Sequence, residues 1–207
     1  MKLFRSLAIL PVLGLAFCAA AAQTAGQTAP RTVKMSASDA SARIFVADRS
    51  AKPGNGPSGV PHGAGVRPGD DTDDGTQTVL AADASDLLVS LDKWRQAQGT
   101  AQISHVANNR DRVTFQFQNL IAFGVYSVFV ADLSNPDAGA LLALDGSGDG
   151  NTFDAAEDGT GSLTITTRDP LTSSQALILI YHSDDTGHGP SPGTIAVDAH
   201  EQIIAHL

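Results

Sequence analysis

The sequence predicts an all-β protein, an antiparallel β-sandwich of the jelly-roll or immunoglobulin-like kind with seven or eight strands. Two observations carry this prediction. Short segments alternate apolar and polar residues, as where Val113, Phe115 and Phe117 are separated by polar side chains, and turns rich in Gly, Asp, Asn and Pro divide these segments. Short strands at close spacing favour antiparallel sheets over a parallel α/β fold.

Residues 1–22 have the form of a secretory signal peptide. Two basic residues precede the apolar run Leu7 to Phe17, and small residues lead to a cleavage point near Ala22. The run is shorter than the ~20 apolar residues that cross a bilayer, so no stable membrane span is expected after cleavage. We expect a secreted or periplasmic protein. Lipidation at Cys18 is the alternative, although Phe17 stands where a lipoprotein signal needs a small residue.

The charge balance limits the classes of partner. The chain carries 13 Lys+Arg against 22 Asp+Glu, and both charges within residues 1–22 are positive, so the remainder is still more acidic. Such a surface repels nucleic acid and anionic lipid and favours cations. A small ligand, a metal ion, or an envelope or extracellular protein remain as partners. The single cysteine, Cys18, lies in the predicted signal peptide, so no disulfide is expected.

The mature chain divides into two parts by composition. Residues 23–75 predict a flexible lead rich in Gly, Pro and Asp, with one short strand at 43–48 where apolar residues cluster. Residues 76–207 predict the β-sandwich domain. Within it, a short helix is expected near 85–97, because Leu87, Leu88, Leu91 and Trp94 fall on one face at helical spacing, with Ser85 as a cap. An edge strand with a bend is the alternative for this segment.

The remaining strands are predicted at 101–106, 112–118, 124–132, 139–144, 161–167, 175–182 and 200–207. If the last two strands pair antiparallel around Ser191, His182 lies opposite His200, because their numbers are symmetric about that residue. Directly opposite side chains lie ~5 Å apart at Cβ. The last two strands are therefore predicted to bring two imidazoles together.

The loop between these strands carries further donors. Asp184 and His188 lie in it, so His182, Asp184, His188 and His200 form a candidate metal site of imidazoles and a carboxylate. This donor set suits Zn²⁺ or Cu²⁺. The alternative is structural, with His182 and His188 stabilising a Gly/Pro-rich loop through hydrogen bonds to its backbone and to Asp184.

A second, weaker metal candidate is the segment DGSGDGNTFDAAED, residues 145–158, whose opening is similar to a calcium-binding loop. Asp145, Asp149 and Asp154 are its candidate ligands. The bidentate acid expected at the twelfth position of such a loop is replaced by Ala156. A glycine-rich turn between two strands explains the same residues.

No catalytic residues are identified. Ser183 and Ser191 lie near histidines, but neither is at a strand-to-helix elbow with an oxyanion donor. The sequence therefore predicts an exported, non-catalytic binding or structural domain with a candidate metal site. A metal-dependent extracytoplasmic enzyme, using copper or zinc at the same histidines, is the alternative.

The C-terminal half, residues 98–207, resembles a group of exported bacterial β-rich proteins without an established activity. In that group a Tyr-His-x-Asp segment leads to a His-Gly corner, a Pro-Gly pair and a closing Glu-Gln strand. The positions that match here are Tyr181, His182, Asp184, Thr186, His188, Gly189, Pro192, Gly193, Glu201 and Gln202. The chain lacks the cysteines that many members carry. The resemblance implies an exported β-sandwich and draws attention to the YHSDDTGHG corner.

Overall fold

A computed structural model describes residues 29–37, 44–56, 59–134 and 141–207. The strands of the described residues are β1 (Arg31–Ser36), β2 (Phe45–Ala47), β3 (Gly54–Asn55), β4 (Pro61–His62), β5 (Val66–Pro68), β6 (Thr78–Leu80), β7 (Asp86–Ser90), β8 (Gln98–Val106), β9 (Arg110–Gln118), β10 (Val125–Asp132), β11 (Leu142–Ala143), β12 (Thr152–Asp154), β13 (Gly161–Thr166), β14 (Gln175–His182) and β15 (Ala199–His206), with one helix, α1 (Leu91–Arg95).

A nine-stranded antiparallel sheet forms most of the fold. Its strand order is β11-β10-β14-β15-β1-β8-β9-β13, and β12 pairs with β10 beside β11. A smaller sheet has the order β5-β2-β6-β7, and β3 pairs with β4. The predicted all-β antiparallel sandwich class is confirmed, and most of the predicted strands of residues 101–207 are present within a residue or two of their expected ends. The predicted number of seven or eight strands is too low, because the described residues form fifteen.

The two faces of β14 enter different apolar clusters. Leu177 and Leu179 belong to the main core, which also includes residues of the smaller sheet and α1, whereas Ile178 and Ile180 pack in a second cluster with Phe129 of β10. Alternate residues of a strand point to opposite faces. Because β14 is buried on both faces, the polar side chains at its end are also held in fixed surroundings.

The predicted helix at 85–97 is wrong for its first half. Residues 86–90 form β7, and α1 begins only at Leu91, with the hydroxyl of Ser90 accepting a hydrogen bond from the amide of Lys93 at 3.3 Å. Leu88 shows why the helical spacing misleads. It has a positive φ of 56° and is 89% exposed, whereas Leu87 is buried, so the neighbouring leucines do not share a face.

The prediction of a single short strand within residues 23–75 is also wrong, because the described part of this segment contains β1 to β5. β1 lies inside the main sheet between β15 and β8, with six residues paired to β8. Val33 and Met35 supply the period-2 apolar pattern that favours this strand. β3, β4 and β5 follow the predicted short strand, which is present as β2. The signal peptide at residues 1–22, with Cys18, lies outside the described residues.

Arg67 fixes the acidic loop that follows β5. Its guanidinium makes ion pairs with Asp48, Asp70 and Asp73, and the Asp73 side chain is only 4% exposed. Arg95 of α1 donates hydrogen bonds to the backbone carbonyls of Asp70 and Asp73. Two cations therefore hold a segment whose composition alone suggests a solvated loop.

Candidate functional site

His182 ends β14 on the face of the second apolar cluster. Its Cα is paired with Val125 of β10 on one side and with Ala199 of β15 on the other, and the side chain is completely buried. The strand continues into a turn in which Asp185 has a positive φ of 56°. The chain thus leaves the sheet directly after His182 and can fold back over it.

The loop after β14 brings two further donors to His182. Ligand atoms of His182, Asp184 and His188 all lie within 4.8 Å of one another, and the rings of the two histidines have centroids 5.2 Å apart. Asp184 is exposed and His188 is half-buried, so the group opens toward solvent on one side. Within the described ranges, these three residues are the group of His, Cys, Asp or Glu side chains that lie close enough together to hold a metal ion.

The contact between His188 and Asp184 has the distance but not the alignment of a hydrogen bond. Nε2 of His188 lies 3.1 Å from Oδ2 of Asp184, yet this nitrogen is buried without a hydrogen-bond partner among the described residues. Two ligand atoms on a tetrahedral zinc ion with ~2.0–2.1 Å bonds stand about 3.3 Å apart. The pair is therefore close to the spacing that an ion would impose.

Glycines shape the loop around His188. A Cβ at Gly193, whose φ is +89°, would lie 3.0 Å from Cδ2 of the His188 ring, and one at Gly187 would lie 2.7 Å from Cγ2 of Thr152. Gly193 thus has both a conformation and a contact that favour glycine. The imidazole of His188 lies against bare backbone, which limits its freedom to turn away from His182.

His200 does not join this group, and its predicted position opposite His182 is wrong by one residue. The pairing of β14 with β15 begins in the predicted register, with Ala176 opposite His206 and Leu179 opposite Ile203. The register then shifts between Leu179 and Ile180, where Gln202 is the extra residue of a bulge. His200 consequently pairs with Tyr181, and a one-residue shift places it on the other face of the sheet.

His200 lies instead on the main-core side, close to α1. Its ring centroid is 6.5 Å from that of Trp94 and 6.2 Å from that of Tyr181. Nε2 of His200 contacts the hydroxyl of Ser183 at 3.0 Å, and Nδ1 is buried without a hydrogen-bond partner among the described residues. His200 is therefore a buried core histidine on the opposite face from the site.

Burial lowers the pKa of both strand histidines. Desolvation, helped by the neighbouring His188, lowers the pKa of His182 to about 4, against a smaller opposing effect of Asp184 and Asp198. Desolvation likewise lowers the pKa of His200 to about 4. Both imidazoles are therefore neutral near pH 7, and the neutral ring is the form that binds a metal ion.

Three polar side chains continue inward from His182: Ser127, Thr152 and Asn151. The sequence did not identify them as candidate functional residues. Nε2 of His182 lies 2.8 Å from the hydroxyl of Ser127, which lies 2.8 Å from that of Thr152. Thr152 contacts Oδ1 of Asn151 at 3.2 Å, and Nδ2 of Asn151 donates to the carbonyl of Gly189 at 3.3 Å. The sequence signal that could have identified Ser127 is the position of a small polar residue inside the apolar strand VYSVFVA.

The Ser127 and His182 pair is not arranged for nucleophilic catalysis. Ser127 is 1% exposed and His182 is fully buried, so a substrate cannot reach the hydroxyl. The hydroxyl is also within hydrogen-bond distance of Thr152 as well as of the imidazole. A catalytic nucleophile needs an accessible oxygen and a partner base.

The predicted calcium loop does not gather its ligands. Asp145 accepts hydrogen bonds from the backbone amides of Ser147, Gly148 and Gly150, so its carboxylate is directed into its own turn. Burial alone would raise the pKa of Asp145, but these hydrogen bonds outweigh it and lower the pKa. Asp149 and Asp154 are exposed and form no cluster with Asp145 in the described part of the chain. These contacts favour the alternative, a glycine-rich turn between two strands.

This turn nevertheless contacts the site. A Cβ at Gly148 would lie 2.1 Å from the carbonyl carbon of Gly189 and 2.2 Å from the nitrogen of Pro190. Backbone therefore packs on backbone at this point, directly beside His188. The segment predicted as a second metal site therefore packs against the loop that carries His188.

Comparison with known proteins adds no assignment, because no family model matches the sequence and no curated protein matches it significantly. Within the described residues, no helix is long and apolar enough to cross a membrane.

Proposed function

We propose that this protein is an exported, non-catalytic binding protein for a transition-metal ion, Zn²⁺ or Cu²⁺, held by His182, Asp184 and His188. The observation that carries the proposal is the Nδ1 atom of His182, which is buried without a hydrogen-bond partner among the described residues in a group whose ligand atoms lie within 4.8 Å of one another. A buried polar atom without a partner is costly, and a metal ion would satisfy it.

The chemistry of the donors supports a borderline metal ion over calcium or magnesium. Two neutral imidazoles and one carboxylate suit zinc or copper, whereas Ca²⁺ takes six to eight oxygen ligands. The acidic balance of the chain favours the approach of a cation to the exposed Asp184. His200, on the other face of the sheet, is not a ligand in this proposal.

Metal titration with matched variants tests the proposal. Calorimetric titration with Zn²⁺ or Cu²⁺, with elemental analysis of the dialysed protein, should give about one ion per chain. Asp184→Asn should weaken binding at least tenfold, because it removes the carboxylate charge while its Oδ1 can still accept from the amide of Thr186. Asp185→Asn makes the same change one residue away and should bind as the unaltered protein does.

His188→Gln completes the set, with His206→Gln as its control because His206 is exposed on the last strand. Binding should be lost in the first variant and kept in the second. Equal, substoichiometric metal in the unaltered protein and in His188→Gln would refute the proposal.

The second candidate function is a metal-dependent extracytoplasmic enzyme. Three protein ligands leave one position of a tetrahedral ion open to water, which is the arrangement of catalytic zinc sites. Assays of superoxide and peroxide turnover on the copper- and zinc-loaded protein separate the two candidates. The binding function predicts rates no higher than those of the free ions.

A further inference from the structure

We infer that Ser127, Thr152 and Asn151 form a one-directional hydrogen-bond chain that holds His182 as its Nε2–H tautomer and so presents Nδ1 as the ligand atom. The tautomer follows from the hydrogen bonds alone, whereas the ligand role rests on the proposed function. These three residues are positioning residues, since none of them belongs to the group of candidate ligands.

The direction of the chain is set at its far end. The carbonyl oxygen of Gly189 can only accept, so the side-chain atom of Asn151 that faces it, at 3.3 Å, must be the amide nitrogen. This fixes the orientation of the Asn151 amide and directs its oxygen to Thr152. That oxygen can only accept, so the Thr152 hydroxyl donates to it across 3.2 Å.

The donor in each of the other two hydrogen bonds then follows from the single proton that each hydroxyl carries. A hydroxyl has one proton, and that of Thr152 is used on Asn151, so the 2.8 Å bond between Thr152 and Ser127 takes the proton of Ser127. Ser127 has none left for its 2.8 Å contact with Nε2 of His182. The imidazole must therefore donate from Nε2, and a neutral imidazole with Nε2–H has its lone pair on Nδ1.

Two of the three positioning residues are shielded from water, whereas Thr152 is half-buried. Ser127 is 1% exposed and Asn151 is fully buried. The chain also connects both candidate histidine ligands, since it begins at His182 and ends on the carbonyl of Gly189, the residue after His188. Hydrogen bonds to the other nitrogen of a ligating histidine fix its tautomer and ring orientation. The same network here also fixes the backbone that carries His188.

The test begins with the metal-free protein. Long-range ¹H–¹⁵N correlation spectra of the assigned protein at neutral pH should show His182 protonated at Nε2. Ser127→Ala should lose this single-tautomer signal and lower zinc affinity about 10- to 100-fold. Ser183→Ala removes the hydroxyl that contacts His200 and should leave the tautomer of His182 unchanged.

The outcomes separate this inference from the proposed function. An Nδ1–H tautomer in the metal-free protein overturns the inference whether or not metal binds. An Nε2–H tautomer in a protein that binds neither zinc nor copper supports the hydrogen-bond chain and refutes the metal function. Unchanged zinc affinity in a folded Ser127→Ala protein overturns the positioning role of the chain.

Discussion

Replacing Gly148 by alanine tests whether the turn at residues 145–150 supports the site. The new Cβ would lie 2.1 Å from the carbonyl carbon of Gly189, whereas ordinary contacts of a Cβ begin at 3.4 Å, so the two backbones must separate by more than an ångström. Forcing extra volume into a packed contact costs about 1–3 kcal/mol. The positive φ of Gly148, 80°, adds about 1–2 kcal/mol for any residue with a Cβ.

We therefore expect Gly148→Ala to lower the free energy of unfolding by about 2–5 kcal/mol. Gly65→Ala is the matched control, because Gly65 has a similar φ of 86° and a Cβ there meets nothing within 4 Å. Gly65→Ala therefore carries only the cost of placing a residue with a Cβ at positive φ. The effect of alanine on the unfolded chain is the same in both variants. Urea unfolding followed by circular dichroism measures the two free energies.

The same variant has a second readout at the site. The displacement starts at Gly189 and Pro190, directly after His188, so zinc affinity should fall in Gly148→Ala and stay unchanged in Gly65→Ala. If the two variants lose the same stability within about 0.5 kcal/mol, the packing argument is refuted. If Gly148→Ala is destabilised but binds zinc normally, the turn does not support His188.

Two further predictions concern stability. Because burial lowers the pKa of His182 and of His200 from 6.5 to about 4, the unfolded chain takes up these protons first, and stability should fall as the pH drops from 6.5 to 4, by at most roughly 3 kcal/mol for each residue. Urea unfolding across this range should show the loss and His200→Gln should reduce it, while a flat profile would contradict the burial argument. Arg67→Met should lower stability by about 1–3 kcal/mol because it leaves the carboxylate of Asp73 without its cation, whereas Arg168→Met, at an exposed pair with Asp169, should change it by less than about 0.5 kcal/mol. Equal effects of these two arginine changes in thermal or urea unfolding would contradict the role given to Arg67.

Most of the sheet could be predicted because its strands carry their pattern locally. β9 alternates apolar and polar residues, and the turn before it contains Asn108 and Asn109, both at the positive φ that asparagine tolerates well. β1 was missed because its pattern is only Val33 and Met35, placed in a segment of polar composition. Its pairing with β8 and β15 depends on residues far along the chain, which no local pattern records.

Only the part of the site that lies at the end of β14 and in the loop after it could be predicted from the sequence. His182, Asp184 and His188 lie close in sequence, and the structure brings them together. His200 was misplaced because a single inserted residue, Gln202, moves it to the other face, and the sequence has no feature that marks the bulge. Ser127 and Asn151 come from strands and turns more than thirty residues away from His182, so their contacts required the register of β10 against β14.

The position of β1 determines when the large sheet is completed during folding. β1, near the amino end of the described residues, lies in the gap between β15 and β8. The large sheet is therefore complete only when segments that are distant in sequence have come together. Until then β8 and β15 each present an unpaired edge, and such edges accept strands from other molecules. An incompletely closed intermediate could thus exchange this strand with a neighbouring copy, and a peptide of residues 31–36 would compete for the same gap.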